Sequence, residues 1–260
     1  MKVVNKAVKT VKQSKMFTVY SLRLVFRCLV FLFIAALYLF RRDVLVAFVA
    51  PGFFSSVGLR EVLWIILMSG MLLHILPFKI TMSGLKSRRF TYSEPPEGYE
   101  IGDMYQYVQT MNKKAWQVIL IWLLFNSVFA LLYLLRVITE AEMLLLSCFY
   151  YLSDLICMLI YCPFQSHIMK NRCCVNCRIF DWGHFMMYTP MLFIKSFFSW
   201  SLFFTACIVL LRWEYVYISH PERFWNGSNA SIRCENCKDK LCHVKHPLRD
   251  LYRNIKLKIQ

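Results

Sequence analysis

The chain has 260 residues, 58% hydrophobic and 17% aromatic, and carries a formal net charge of +16. A water-soluble domain has no surface on which to place so much apolar material, so lipid is expected to act as solvent for much of this chain. The charge does not point to nucleic acid: basic residues cluster beside apolar runs, and no zinc-finger helix, RNA-binding signature or Gly-rich phosphate loop accompanies them.

Residues 1–15, MKVVNKAVKTVKQSK, place Val4, Val8 and Val11 at helical spacing among lysines. The first 23 residues are expected to form a basic amphipathic segment lying on anionic headgroups; a frayed basic tail fits the same residues. A cleavable leader fits less well, because no small-residue cleavage site follows the apolar run. The first span is placed within 24–50, with Arg23, Arg27, Arg41 and Arg42 snorkelling from its flanks. The stretch broken at Pro51-Gly52 is read as interfacial or re-entrant. A second span covers 59–78, close to the twenty or so residues that cross a hydrocarbon layer of roughly 30 Å.

The SEPPEGYEIGD stretch reads as a loop and MYQYVQTMNKK as a short helix feeding the third span, 115–135. A brief turn joins this to the fourth span, 143–161, making an antiparallel hairpin. The fifth is set at 190–211, with residues before Ser196 entering obliquely because Pro190 and Lys195 interrupt the run. The fold class is therefore all-α: a bundle of about five transmembrane helices over 24–211, followed by a basic, cysteine-containing tail, 212–260. Positive flanks put the N-terminus and the 162–184 loop in the cytoplasm, with Glu140 and Glu142 outside. An odd number of spans then places the tail on the face opposite that loop.

The chain holds 11 cysteines. Cys28, Cys148, Cys157 and Cys207 fall within apolar runs and read as small packing residues. The stretch NRCCVNCRIFDWGHF is different. Cys173, Cys174 and Cys177 supply soft donors, with Cys162, His167 or His184 as a fourth; zinc takes such a set as a tetrahedron. An iron–sulfur cluster is less favoured, because the ferredoxin spacings are absent. Arg172 and Arg178 should favour thiolates. Thiol redox chemistry, acylation and plain juxtamembrane cysteines also fit. In the tail, Cys234, Cys237 and Cys242 with His243 and His246 form a second candidate zinc set, a disulfide being the alternative. Asn226-Gly-Ser and Asn229-Ala-Ser match the glycosylation sequon.

Asp154 lies within the fourth span, where an ionised carboxylate costs several kcal/mol unless it is paired, solvated or protonated. His74, Asn126 and Lys195 are its candidate intramembrane partners. It marks either a polar pocket or an interhelical hydrogen bond. A His184–Asp181 couple is a weaker candidate, since both residues lie on one element.

Three functional readings follow. The first is a membrane scaffold or adaptor whose zinc-ordered cytoplasmic loop meets a protein partner or a lipid headgroup. The second is a membrane thiol-redox or electron-transfer enzyme using the same cysteines. The third is a small transporter or channel subunit centred on Asp154.

Overall fold

A computed structural model describes residues 15–49, 58–75, 92–171, 173 and 176–236. Residues 1–14 of the expected amphipathic N-terminus, Cys174, Cys237, Cys242 and His246 lie outside these residues, while 15–23, expected to belong to that segment, are the start of the first helix. The described residues are helical: α1 (Lys15–Phe40), α2 (Arg42–Val49), α3 (Leu59–Ile75), α4 (Ile101–Leu134), α5 (Glu140–Leu159), α6 (Gly183–Tyr188) and α7 (Phe197–Ser219), with short 3-10 and π turns between them. Four of these, α1 from Thr18, α4, α5 and α7, are long and apolar enough to cross a membrane. Much of their apolar surface faces outward, including Leu22, Phe26, Leu29 and Phe33 of α1 and Leu120, Leu124 and Leu131 of α4. In water that surface would be unfavourable; in hydrocarbon it is the ordinary exterior.

Several boundaries differ from expectation for physical reasons. The first apolar run breaks at Arg41, so α1 stops at Phe40 and α2 follows as a separate helix. The third span is not preceded by a separate short helix: α4 runs unbroken for 34 residues, about 50 Å at 1.5 Å per residue, so it outruns the hydrocarbon layer. Its start is set by the turn before it, where Gly98, at φ 71, donates its N–H to Pro95 O at 3.1 Å.

The α4–α5 connection is closed by Glu142. Its Oε2 accepts from Thr139 N at 2.7 Å and Thr139 Oγ1 at 2.5 Å. Its Oε1 accepts from Tyr38 Oη at 2.8 Å and Arg42 Nη2 at 2.5 Å. One carboxylate thus caps α5 and ties it to α1 and α2. Glu142→Ala is expected to cost about 1–2 kcal/mol, against a few tenths for Glu140→Ala, whose only described partner is Tyr133. Thermal denaturation in detergent compares the two variants.

The largest correction concerns the region read as a single fifth span. Residues 180–196 descend through the bundle as a 3-10 turn, α6 and another 3-10 turn, and α7 returns. Trp182 at the upper end lies near Glu214. Thr189 accepts a bond from Trp122 Nε1 at 3.1 Å midway, and Phe193 reaches Tyr133 near the α4–α5 turn. Irregular backbone can run at this depth because protein encloses it: Met187, Tyr188, Thr189, Pro190, Met191 and Ile194 are all buried. The return helix begins beside α3, where Trp64 Nε1 donates to Ser201 Oγ at 2.8 Å. It ends beside the cysteine loop, where Trp213 Nε1 donates to Arg178 O at 2.9 Å.

The tail therefore leaves from the same end of the bundle as the cysteine loop, not the opposite one. Its described part is anchored there. Ala230 N donates to Ser93 O at 2.7 Å, and Asn229 Oδ1 accepts from Ser93 N and Ser231 N at 3.3 and 3.0 Å. Asn229 is fully buried and its Nδ2 donates to Arg223 O. In this fold it is a structural amide, not an accessible glycosylation acceptor.

Candidate functional site

Asp154 finds a partner the sequence reading did not name. Arg27 Nη1 of α1 donates to Asp154 Oδ2 at 2.8 Å and to Tyr151 O at 2.6 Å, and its guanidinium lies 4.1 Å from the Tyr151 ring centroid. Arg27 turns inward instead of snorkelling. The side chain of Arg27 is 15% exposed and that of Asp154 30%. In a low-dielectric bundle each charge is tolerable only beside the other. A lone Arg in one apolar run and a lone Asp in another were the available signal.

The other expected partners divide. Asn126 pairs elsewhere: its Nδ2 donates to Trp122 O at 2.9 Å and its Oδ1 accepts from Tyr150 Oη at 3.2 Å. Lys195 is exposed between the crossing segment and α7, at the end remote from the cysteine loop. His74 does join the neighbourhood. Its ring packs edge-on against His184 at 4.7 Å, and its Nδ1 lies 3.9 Å from Asp181 Oδ1, within ion-pair range but beyond a hydrogen bond. His184 sits on α6, in the segment that descends through the bundle. The residues Asp154, His74, Asp181 and His184 therefore form one polar neighbourhood, assembled from α3, α5, a 3-10 turn and α6.

Gly183 makes the approach possible. A Cβ there would stand 2.5 Å from Asp154 Oδ1. Gly183→Ala should push the carboxylate off Arg27 and cost about 1–3 kcal/mol. A variant as heat-stable as the parent would show that the carboxylate does not sit against this backbone.

Beside Asp154 the two arms of the α4–α5 hairpin diverge. The space between them is a cavity of about 540 Å³, within the range of small-molecule sites. Its walls include Ile121 and Phe125 of α4, Phe149 and Ile156 of α5, and Phe164 and Phe180 from the connecting turns. Asp154, Ser153 and Gln165 are its polar points, and Cys157, Cys162 and Cys177 also line it.

Above the cavity, Arg178 organises the polar end. It is 5% exposed. Nη1 donates to Glu214 Oε1 at 2.7 Å, Nη2 to Glu214 Oε2, and Nε to Asn112 Oδ1 at 3.1 Å. Its guanidinium lies 3.7 Å from the Tyr217 ring centroid. Trp182 Nε1 donates to Glu214 Oε1 at 2.8 Å. Arg178 therefore joins α4, α7 and the loop; its charge is committed to Glu214, not to the thiols or Asp181. The sequence offered no link between Arg178 and Glu214, 36 residues apart.

The thiol donors are distributed. Cys162 accepts from Gln165 N at 3.4 Å at the cavity wall, Cys177 is buried, and Cys234 is exposed. His184 is in the polar neighbourhood with His74. Among the described residues, no three His, Cys, Asp or Glu side chains are placed to hold a metal ion. Cys162, Cys173, Cys177 and His184 alone thus do not make the expected centre. Comparison with protein-family models, curated proteins and solved structures found no match to the chain.

Proposed function

We propose that the chain is an integral membrane protein that binds a membrane-derived amphiphile in the cleft between α4 and α5, the binding element of a small transporter or lipid-handling unit. The observation that carries this is the splayed hairpin with a carboxylate in its wall. Two antiparallel helices joined by a short turn would otherwise close on each other. The apolar lining suits a hydrocarbon chain, and Asp154 Oδ1 with Ser153 and Gln165 suits a head that donates hydrogen bonds. Orientation follows the basic flanks. With the tail at the same end as the cysteine loop, Lys113, Lys114, Lys170, Arg223 and Arg233 share one end, which the positive-inside rule places in the cytoplasm together with the N-terminus.

The test is equilibrium binding of matched long-chain probes to the detergent-solubilised protein. A long-chain amine or alcohol is expected to bind more tightly than the carboxylic acid of the same length. Ser153→Trp, which fills the cleft without touching the ion pair, should weaken binding by about tenfold or more. Equal affinity for all heads, or binding indifferent to Ser153→Trp, would overturn the reading.

A second reading is favoured by the Arg178 hub. The loop and the start of the tail form an ordered cap that could present a surface to a protein partner, as expected of a scaffold.

A further inference from the structure

A second cavity, of about 160 Å³, shares Met187 with the wall of the α4–α5 cleft. α1 packs on α5 and α3 on α7, and this cavity occupies the seam between the two pairs, with Tyr188 and Met191 of the crossing segment in its wall. Phe26 of α1 and Ile66 of α3 also line it while keeping much of their side chains exposed. The seam therefore opens sideways, toward hydrocarbon. Aromatic rings make up much of the wall: Phe26, Trp64, Tyr151, Tyr188 and Phe198. Among the described residues the one charged side chain there is Arg60, and Glu61 answers its charge at 3.1 Å.

Two hydroxyl residues in this wall stand out. Ser147 of α5 and Tyr188 of α6 are each 3% exposed, and neither Ser147 Oγ nor Tyr188 Oη has a hydrogen-bond partner among the described residues. Hydroxyls elsewhere in the bundle find one: Thr189 Oγ1 donates to Phe185 O at 2.8 Å, and Tyr150 Oη to Asn126 Oδ1 at 3.2 Å. A buried hydroxyl left alone is costly, and a guest that supplies a partner removes the cost. Serine turns its hydroxyl among staggered positions and tyrosine swings its proton, so each can donate to or accept from such a guest.

We propose that this cavity binds a neutral, lipid-dissolved ring bearing a hydroxyl, a ligand of the phenol class, which enters between α1 and α3. The size suits one ring, since a dry apolar cavity of about 150 Å³ takes benzene. The aromatic wall offers edge and face contacts to a ring that a flexible chain would not use. A phenolic hydroxyl accepts from one of Ser147 and Tyr188 and donates to the other, satisfying both. A substituent on the ring would leave past Phe26 and Ile66 into lipid. An anionic head is disfavoured, because Glu61 already neutralises Arg60. This site is separate from the cleft beside Asp154, and the inference does not rest on ligand binding there.

Binding of 4-propylphenol, propylbenzene and 1-octanol to the full-length protein in detergent, corrected for micelle partitioning, tests the assignment. The phenol is expected to bind about tenfold or more tightly than either the ring without a hydroxyl or the hydroxyl without a ring. Ser147→Ala and Tyr188→Phe should each remove most of the preference over propylbenzene. Neither should melt below the parent when ligand-free, because each deletes a hydroxyl that lacks a partner in the empty site; a merely structural hydroxyl would lower the melting temperature. Ser153→Trp, which fills the other cleft, should leave phenol affinity unchanged. Equal affinity for phenol and propylbenzene would overturn the proposal. So would parental binding in both hydroxyl variants, lower melting of both, or loss of phenol binding in Ser153→Trp, which would place the probe in the α4–α5 cleft.

Discussion

Asp154→Leu is expected to lower stability in detergent by about 3–5 kcal/mol, the cost of stranding one member of a sheltered ion pair. The variant leaves Arg27 between α1 and α5 with only the Tyr151 carbonyl and ring as described company. The informative comparison is the double variant Arg27→Met, Asp154→Leu. Removing both charges also removes the desolvation they impose, so the double variant should recover most of what the single one loses. Denaturation curves for the two single variants and the double close the cycle. Additive losses would mean that the two side chains do not interact and that Asp154 is held some other way. Asp154→Asn keeps the shape and one acceptor, and should fall between parent and Leu.

Glu214→Ala is expected to cost a similar amount, about 3–5 kcal/mol. Glu214 is the only described carboxylate bonded to Arg178, and Arg178 is nearly fully buried. The lost bond from Trp182 adds to the effect. Arg178→Lys should not behave as a conservative change. An ammonium cannot make the two-point contact with Glu214, reach Asn112 and stack on Tyr217 together. It should lose about 1–3 kcal/mol. Near-ultraviolet circular dichroism adds a local readout, because Trp182 and Trp213 both bond to this hub. An unchanged indole signal and melting curve in Glu214→Ala would contradict the account of the cap.

Hydropathy and length made most of the long helices legible. The brief turn between the third and fourth spans marked the hairpin, and the structure adds the capping role of Glu142. The sequence could not show that the hairpin opens. That depends on Phe164 and the 189–193 turn packing near Trp122 on α4, a tertiary fact without local signature.

The crossing at 180–196 was hidden for a related reason. Pro190 and Lys195 look like interruptions of a single span, whereas backbone enclosed by neighbouring helices tolerates them as a separate pass. That misreading moved the tail to the wrong end, away from the cysteine loop that its described part touches through Asn176 and Ile232. Asp154 was recognisable as unusual because a carboxylate in an apolar run needs an explanation. Its partner was not, because Arg27 resembled a flanking arginine until α1 was seen against α5.

The shared end of loop and tail is tested most directly by sided labelling. Chains retaining only Cys173 or only Cys234 would be treated with a membrane-impermeant maleimide in sealed vesicles of each orientation. Both thiols should react from the same face and be protected from the other. Reaction of Cys173 from one face and Cys234 from the opposite face would contradict the crossing at 180–196.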